Sequence, residues 1–359
     1  MRRFFTALLC VMFFSALSSA EIIKGPYIQK GSTEGVTICW ESDSAVPATV
    51  GIARVSSEKN WKLTPVNEGG DFHEVRIEGL EPGTEYDYYV QETGGKQEAG
   101  RFKTFPGNPE PFRFIAYGDC RSQHDIHRRI VAHMLKFEPE FIVNSGDLVA
   151  DGTKQEDWDV FWDIIGPLAR NVYYYPVLGN HEKDSPLYYK YFSLPDNGDK
   201  ERYYSFVYSN VLVAALDSNM PYFLVAKQKS WLKDELKRFR TGVFKIVAYH
   251  HPFYSSSKRE PNMHFRQYYS STYWKYGVQV AINGHDHFYE RSIDQGGVQH
   301  IVAGGGGAPL YDQPRLQPET RVKAKEYHFM VFDVTEKRMR VRVVNIDGIV
   351  IDEFNVPVK

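Results

Sequence analysis

The chain has 359 residues, of which 42% are hydrophobic and 25% charged, and its formal net charge is -2. This composition excludes a disordered chain, and the length favours two folded domains with sizeable cores. Because both charge signs are mixed along the sequence, neither nucleic acid nor an anionic membrane is expected as the main partner.

The first twenty residues have the three parts of a secretory signal peptide. Arg2 and Arg3 give a positive start, residues 4–17 are almost wholly apolar, and residues 18–20 are small enough for cleavage. The apolar run is short for a membrane span, and polar sequence follows it at once. We therefore predict an exported protein (periplasmic, cell-surface or secreted) that is cleaved after Ala20 and has no membrane span after cleavage.

Residues 22–105 contain short apolar strands separated by turn residues and show no helical period. The candidate strands are residues 35–41, 49–54, 73–77, 86–92 and 100–105. This pattern predicts a small β-sandwich. The module has no cluster of charged residues or histidines with a chemical rationale, which favours a structural or docking role.

Residues 105–111, Phe-Pro-Gly-Asn-Pro-Glu-Pro, are rich in residues that stop strands and helices, and we place the domain boundary there. From 112 to 357 strands alternate with helices. The predicted strands are 114–117, 141–145, 211–216, 243–249, 278–282, 300–303, 339–344 and 349–354, and the predicted helices are 124–136 and 228–239. Apolar strands in this alternation predict an α/β domain with a buried sheet.

Polar motifs follow five strand-like segments of the second domain. They contain two aspartates, an asparagine and several histidines: Asp119, Asp147, Asn180 with His181, His250 with His251, and His285 with His287. The carboxyl ends of strands in α/β sheets form the ligand-binding edge, so we expect these side chains to converge. Each motif alone is typical of a turn, but the whole set indicates a metal site with mixed oxygen and nitrogen ligands, which suits iron, zinc or manganese.

The ordered motifs, together with Asp-His-Phe-Tyr-Glu-Arg-Ser at residues 286–292, resemble the purple acid phosphatase branch of the calcineurin-like metallophosphoesterases. The first module, with residues 25–29 and 80–86, resembles that branch's fibronectin type III-like N-terminal domain. The resemblance implies a pair of packed β-sheets flanked by helices, with a dinuclear metal site at their edge. It also implies hydrolysis of a small phosphate monoester by a water activated by two divalent or trivalent ions.

The resemblance assigns roles to individual residues. Six would be metal ligands: Asp119 and His287 for the first ion, Asn180, His250 and His285 for the second, and Asp147 bridging both. His181 would face the substrate as the acid for the leaving oxygen, and Glu182 would lie behind it.

The sequence departs from the family pattern at two positions. Ala150 replaces the tyrosine that binds ferric iron in purple members, and Arg121 replaces a histidine that other branches use. The first metal therefore lacks one ligand, and water, Cys120 or a histidine such as His124 could replace it. A buried position for Cys120 is the simpler interpretation, since free cysteine usually packs inside.

Three further residues are candidates for substrate binding or catalysis. Arg121 and Arg259 would bind phosphate oxygens, although Arg121 at a helix start could equally be a surface residue. Asp151 would orient His181 as a carboxylate–imidazole pair, or would be a turn residue before Gly152.

Two other functions remain open: cleavage of diesters at the same site, or a binding module whose metal site is degenerate. Residues 304–307 are interpreted as a wall of the pocket, and the aromatic residues at 158–162 and 173–175 as core or rim side chains. The natural substrate and the oligomeric state do not follow from the sequence.

Overall fold

The computed structural model describes residues 20–67, 70–239 and 243–358. The predicted signal peptide, apart from Ala20, lies outside them. Among the helices in these ranges, none combines the length and the apolar composition that a bilayer crossing requires.

The first part of the chain is a β-sandwich of seven strands. They are β1 (Ile22–Gln29), β2 (Gly35–Ser42), β3 (Ala48–Arg54), β4 (Lys62–Val66), β5 (Phe72–Glu78), β6 (Glu85–Glu92) and β7 (Gln97–Lys103). They form two antiparallel sheets, β1-β2-β5 and β4-β3-β6-β7. Ile38 and Trp40 of one sheet and Val50 and Tyr88 of the other are fully buried in one core. The predicted β-sandwich is confirmed, with β1 and β4 added to the predicted strands.

In the second part, strands and helices alternate as far as α5, and seven strands follow it. Its helices are α1 (His124–Met134), extended by a 3-10 turn (Leu135–Phe137), α2 (Gln155–Ala169), α3 (Pro186–Tyr191), α4 (Tyr222–Arg238) and α5 (Met263–Tyr276). Its strands are β8 (Phe112–Tyr117), β9 (Phe141–Asn144), β10 (Tyr173–Pro176), β11 (Tyr204–Tyr208), β12 (Val211–Ala215), β13 (Phe244–Ala248), β14 (Val280–Asn283), β15 (Tyr289–Ile293), β16 (Gln299–Ala303), β17 (Thr320–Ala324), β18 (His328–Val334), β19 (Met339–Asn345) and β20 (Val350–Val356). The predicted α/β domain is confirmed.

These thirteen strands form two mixed sheets that pack face to face. One has the order β10-β9-β8-β18-β19-β20 and the other β11-β12-β13-β14-β16-β15-β17. Their inner faces are apolar, and the rings of Tyr175 and Phe206 stack between them with centroids 3.9 Å apart. Strands β8, β9 and β10 run parallel, as do β12, β13, β14 and β16. The loops after these strands therefore meet at one edge of the two sheets.

The aromatic residues at 158–162 and 173–175 are core side chains. Residues 173–175 form strand β10 and are fully buried, and the aromatic residues of α2 pack against them and the first module. Tyr27 of β1 stacks on Trp162 with centroids 4.1 Å apart, and its hydroxyl donates to the carbonyl of Tyr191 at 2.7 Å. Aromatic packing thus joins the sandwich to the α/β part.

Candidate active site

Three of the candidate ligands have an unusual backbone conformation directly after a strand. Asp119, Asp147 and His285 have φ angles of 53°, 55° and 70°. Such angles cost a residue with a side chain about 1–3 kcal/mol and are concentrated at functional sites. Gly146 allows the loops to approach, because a Cβ there would lie 2.8 Å from His250 Nδ1.

Asp119, Asp147 and His287 form the first cluster of the site. Each offers one ligand atom within 4.8 Å of the others, and all three side chains are buried. His287 Nδ1 bonds the carbonyl of Pro309 at 2.8 Å, which leaves Nε2 facing Asp119 Oδ1 at 3.5 Å. That Nε2 has no hydrogen-bond partner among the described residues. Two buried carboxylates beside a free imidazole nitrogen fit a bound cation.

Asn180, His250 and His285 form the second cluster. Asn180 Oδ1 lies 3.1 Å from His250 Nε2 and 3.0 Å from His285 Nδ1. His250 Nδ1 bonds the carbonyl of Ser145 at 2.9 Å, so its Nε2 faces the site. Asp147 Oδ1 lies 3.2 Å from this Nε2 and so connects the two clusters. The structure therefore brings all six predicted metal ligands together.

The histidines in and beside the second cluster have pKa values that are shifted in opposite directions. Burial lowers the pKa of His250, but the carboxylate of Asp147 outweighs burial and raises that pKa to about 10. Burial and the neighbouring His250 lower the pKa of His285 to about 2 and that of His251 to about 3. A neutral imidazole is the form that binds a metal, so His285 is ready to do so, and a cation at this site would displace the proton that Asp147 favours on His250.

His181 lies at the mouth of the site, beside the first cluster. Its Nδ1 bonds the carbonyl of Ala150 at 2.6 Å, and its Nε2 lies 3.8 Å from Asp147 Oδ2. The prediction that Asp151 orients His181 is wrong. The Asp151 carboxylate instead accepts hydrogen bonds from Lys183 at 2.6 Å and from the hydroxyl of Thr153 at 2.7 Å.

Both predicted arginines reach the site. Arg121 Nε lies 3.5 Å from Asp147 Oδ2, and the Arg121 side chain is only 15% exposed, so it is no ordinary surface arginine. Arg259 lies 3.1 Å from His285 Nε2 and donates to the hydroxyl of Tyr311 at 3.1 Å. The two guanidinium groups flank the clusters, one beside each.

The structure also bears on the missing ligand of the first cluster. The Cys120 thiol is buried against the carbonyl of Leu148 and the amide of Asn144, at 3.6 and 3.7 Å, as the usual burial of free cysteine indicated. Burial raises the pKa of this thiol, which opposes metal binding. His124 is exposed at the start of α1. Ala150 contributes only its backbone carbonyl to the site, and this carbonyl bonds His181.

Glu182 holds the loops behind the ligands. Its buried carboxylate accepts hydrogen bonds from the backbone N–H groups of Asp147, Leu148 and Gly179 at 3.0, 2.7 and 2.6 Å. It thereby ties the loop after β9 to the loop after β10. Burial and the negative charge of Asp147 raise its pKa to about 7.

Replacing Glu182 with glutamine is expected to lower the free energy of unfolding by about 1–3 kcal/mol, because an amide NH2 would face backbone donors and leave them unpaired. Urea unfolding of the metal-free protein measures this change. Glu156→Gln, at an exposed position of α2, is the control and should change the value by less than about 0.5 kcal/mol. Equal unfolding midpoints for the two variants would contradict the role of Glu182.

The sequence suggested no individual role for three residues of the site, Tyr311, His251 and Ser218. The ring of Tyr311 stacks on His287 with centroids 4.0 Å apart. His251, seen only as the neighbour of His250, has its Nδ1 2.9 Å from Ser218 Oγ. The sequence signal for Ser218 was the polar group Asp217-Ser218-Asn219, which follows the apolar strand β12. Tyr311 follows no strand end and had no signal.

The glycines at 304–307 pack against the first cluster. Gly306 donates its N–H to the carbonyl of Gly118 at 2.9 Å, and a Cβ on Gly306 would lie 2.5 Å from that carbonyl oxygen. The close approach of the backbone explains why these residues are glycines, and a phosphate-binding role is not needed to explain them. It forms a wall behind Asp119, as the sequence indicated.

Comparison with known proteins agrees with this site. The family model described as calcineurin-like phosphoesterase matches residues 112–289. The chain is 25% identical over 304 residues to probable purple acid phosphatase 20 of Arabidopsis thaliana, covering 75% of this chain and 70% of the relative.

Two solved structures share the fold. Purple acid phosphatase PPD1 from yellow lupin (Lupinus luteus) superposes with a TM-score of 0.78 at 20% identity, covering 94% of this chain and 74% of that one. A structure of PhoD gives a TM-score of 0.70 at 13% identity, covering 96% and 93% of the two chains. All six candidate ligands lie inside the matched range, so residues 112–289 form a calcineurin-like phosphoesterase domain, and the chain is a phosphoric ester hydrolase similar to the purple acid phosphatases.

Proposed function

We propose that this enzyme hydrolyses phosphate monoesters at a pair of metal ions. The observation that carries the proposal is the position of the buried Asp147, which belongs to the first cluster and whose Oδ1 lies 3.2 Å from His250 Nε2 of the second. A carboxylate shared by two ions is the centre of the two-metal arrangement used for in-line displacement at phosphorus. Asp119 and His287 would complete one ion's shell, and Asn180, His250 and His285 the other's. Mixed oxygen and nitrogen ligands suit iron, zinc or manganese.

The side chains around these ions bind the phosphate and supply the proton for the leaving group. When bound, such ions polarise the phosphate oxygens and lower the pKa of the water that attacks phosphorus. Arg121 and Arg259 bind the other phosphate oxygens and offset charge that develops during transfer. His181, held through Nδ1, presents Nε2 to the leaving alcohol and protonates it. No covalent phosphoenzyme forms.

Two arginines support a monoester rather than a diester. A monoester dianion carries two negative charges and three non-bridging oxygens, which two guanidinium groups match better than they match a singly charged diester. The test compares initial rates on phenyl phosphate and diphenyl phosphate beside metal analysis of the same sample. Two ions per chain with faster monoester cleavage support the proposal. Faster diester cleavage indicates a phosphodiesterase, and no metal with no turnover indicates a binding module.

Replacing Arg121 with methionine is expected to lower kcat/KM for phenyl phosphate about 10–100-fold, the value of a hydrogen bond to a charged group. Inhibition by inorganic phosphate should weaken in parallel, because the same contact is lost. Arg128→Met is the control: Arg128 is on the exposed face of α1, paired with Asp163 at 2.5 Å. An Arg121→Met enzyme with the phosphate inhibition of the wild type would exclude phosphate contact by Arg121.

The iron-loaded protein is expected to show no visible tyrosinate–iron absorption, because Ala150 stands where a purple enzyme has its ligand tyrosine. An absorption spectrum of the iron-reconstituted protein measures this. A visible charge-transfer band would contradict the prediction. Its loss in Tyr311→Phe would then assign the band to Tyr311, whose ring stacks on His287.

We also propose that the protein is exported and cleaved after Ala20, on the pattern of residues 1–20. Mass analysis of the protein from the cell exterior or periplasm should give a chain that begins at Glu21. An uncleaved N-terminus would contradict this proposal.

A further inference from the structure

His251, in the loop after β13, has an unusual hydrogen-bond partner in Ser218, which lies in the loop after β12. Ser218 Oγ accepts the backbone N–H of His251 at 3.0 Å and lies 2.9 Å from His251 Nδ1. Among the hydrogen bonds of the described residues, Nδ1 is the acceptor available to the single hydrogen of this hydroxyl. The arrangement in which the Ser218 hydroxyl donates to Nδ1 gives this hydrogen a partner, and it puts the ring hydrogen of His251 on Nε2.

This tautomer separates His251 from the candidate ligands. His250 and His287 donate Nδ1–H to backbone carbonyls, which turns Nε2 of each ring toward the metal clusters. In His251 the arrangement is reversed, so its Nε2–H is a hydrogen-bond donor. The His251 ring lies 4.5 Å from the ring of His285. A donor beside the second cluster suits a substrate oxygen and not a metal ion.

A mainly apolar pocket adjoins Ser218. It has a volume of about 480 Å³ and lies between the loop after β12 and the first turns of α4 and α5. Met220, Val225, Phe265 and Tyr268 supply its walls. This volume is within the range of small-molecule sites, which are apolar with a few placed polar groups. Ser218 both lines the pocket and bonds His251, so the pocket adjoins the residues that position His251 at the catalytic edge.

We propose that this pocket binds the organic group of the phosphate ester, while His251 Nε2–H donates to an ester oxygen at its mouth. The inference rests on the proposed function and adds the substrate class. With the phosphate at the metal clusters, an apolar or aromatic alcohol group is buried beside Phe265 and Met220. The enzyme therefore selects esters of compact apolar or aromatic alcohols over esters of small hydrophilic alcohols.

The first experiment measures selectivity with 1-naphthyl phosphate and glycerol 3-phosphate. The wild type should favour the naphthyl ester at least tenfold in kcat/KM, and Met220→Trp, which fills the pocket, should reduce that ratio at least tenfold. Leu135→Trp is the matched control, since Leu135 is 39% exposed beyond the end of α1, and it should keep the ratio. An unchanged ratio in Met220→Trp would overturn the pocket assignment.

A binding measurement separates this inference from the proposed function. Calorimetry of the metal-loaded protein should show tighter binding of phenylphosphonate than of methylphosphonate, with the difference lost in Met220→Trp. Equal affinities of the two phosphonates would overturn the pocket even if monoester turnover is high. Preferential phenylphosphonate binding without any turnover would support the pocket and refute the phosphatase proposal.

Two variants test the donor role of His251. His251→Leu should raise KM for both esters about tenfold with metal content unchanged, and His251→Gln, which keeps an N–H donor, should restore most of the loss. Loss of metal in His251→Leu would make His251 a ligand and overturn the assignment. A KM equal to that of the wild type in His251→Leu would overturn it as well.

Discussion

Replacing Asp147 with alanine is expected to reduce phosphate-ester turnover by more than about 100-fold and to lower the bound metal below two ions per chain. Loss of a group that merely supports a metal ligand already costs about 10–100-fold, and Asp147 faces both clusters directly. Metal analysis beside a phenyl phosphate assay on the same sample measures both effects. Because Asp147 belongs to the first cluster and contacts His250 of the second, its removal takes a ligand from both.

Asp151→Ala is the matched control for Asp147→Ala. Asp151 is an aspartate four residues further on, but its side chain is 24% exposed and bonds Lys183 and Thr153. Its replacement should change turnover by less than about twofold, as for an ordinary surface substitution. Circular dichroism should show that both variants are folded. An Asp147→Ala enzyme that keeps two ions and most of its turnover would refute the dinuclear centre.

Replacing His181 with alanine is expected to reduce turnover of an alkyl phosphate about 10²–10⁴-fold, the usual contribution of a general acid. The effect on p-nitrophenyl phosphate should be much smaller, because that leaving group departs without a proton. Metal content should stay at the wild-type value, since Nδ1 of His181 is engaged by the Ala150 carbonyl and His181 belongs to neither metal cluster. The dependence of kcat on the leaving-group pKa is the measurement.

His124→Ala controls for the loss of an imidazole near the site. His124 is exposed at the start of α1, so its removal should leave the leaving-group dependence unchanged. Equal losses for alkyl and p-nitrophenyl esters in His181→Ala would contradict proton donation and indicate a role in binding. Near-normal turnover of the alkyl ester would exclude His181 from catalysis altogether.

The convergence of the six candidate ligands was predictable because it depends on local rules. Each motif follows an apolar strand, and parallel strands deliver their carboxyl ends to one edge of a sheet. Asp119 and Asp147 follow the parallel neighbours β8 and β9, and His250 and His285 follow β13 and β14. Their roles as ligands stay predictions that the metal analysis tests.

Helix α5 could not be predicted from local pattern, whereas α2 was missed although its apolar residues 158, 161, 162, 165 and 168 recur at helical spacing. Pro167 lies inside α2, and α5 is so rich in aromatic and polar residues that it has no clear apolar stripe. Packing decides both: α2 buries its aromatic side chains against the first module and β10, and α5 packs against the outer face of the seven-stranded sheet. Tertiary contacts outweigh weak helix propensity in such segments.

By itself, the sequence determined the β-sandwich, the α/β domain and the set of polar strand ends, because strand periodicity and the position of turns are local properties of the chain. Only the tertiary structure decided which neighbours each side chain meets. Asp151 is close to His181 in the folded chain, yet the two side chains do not bond each other. The Asp151 carboxylate accepts from Lys183, and the His181 imidazole bonds the Ala150 carbonyl. The pairing of Ser218 with His251 spans two loops. Hydrogen-bond partners depend on the direction of side chains in three dimensions, and spacing along the chain does not set that direction.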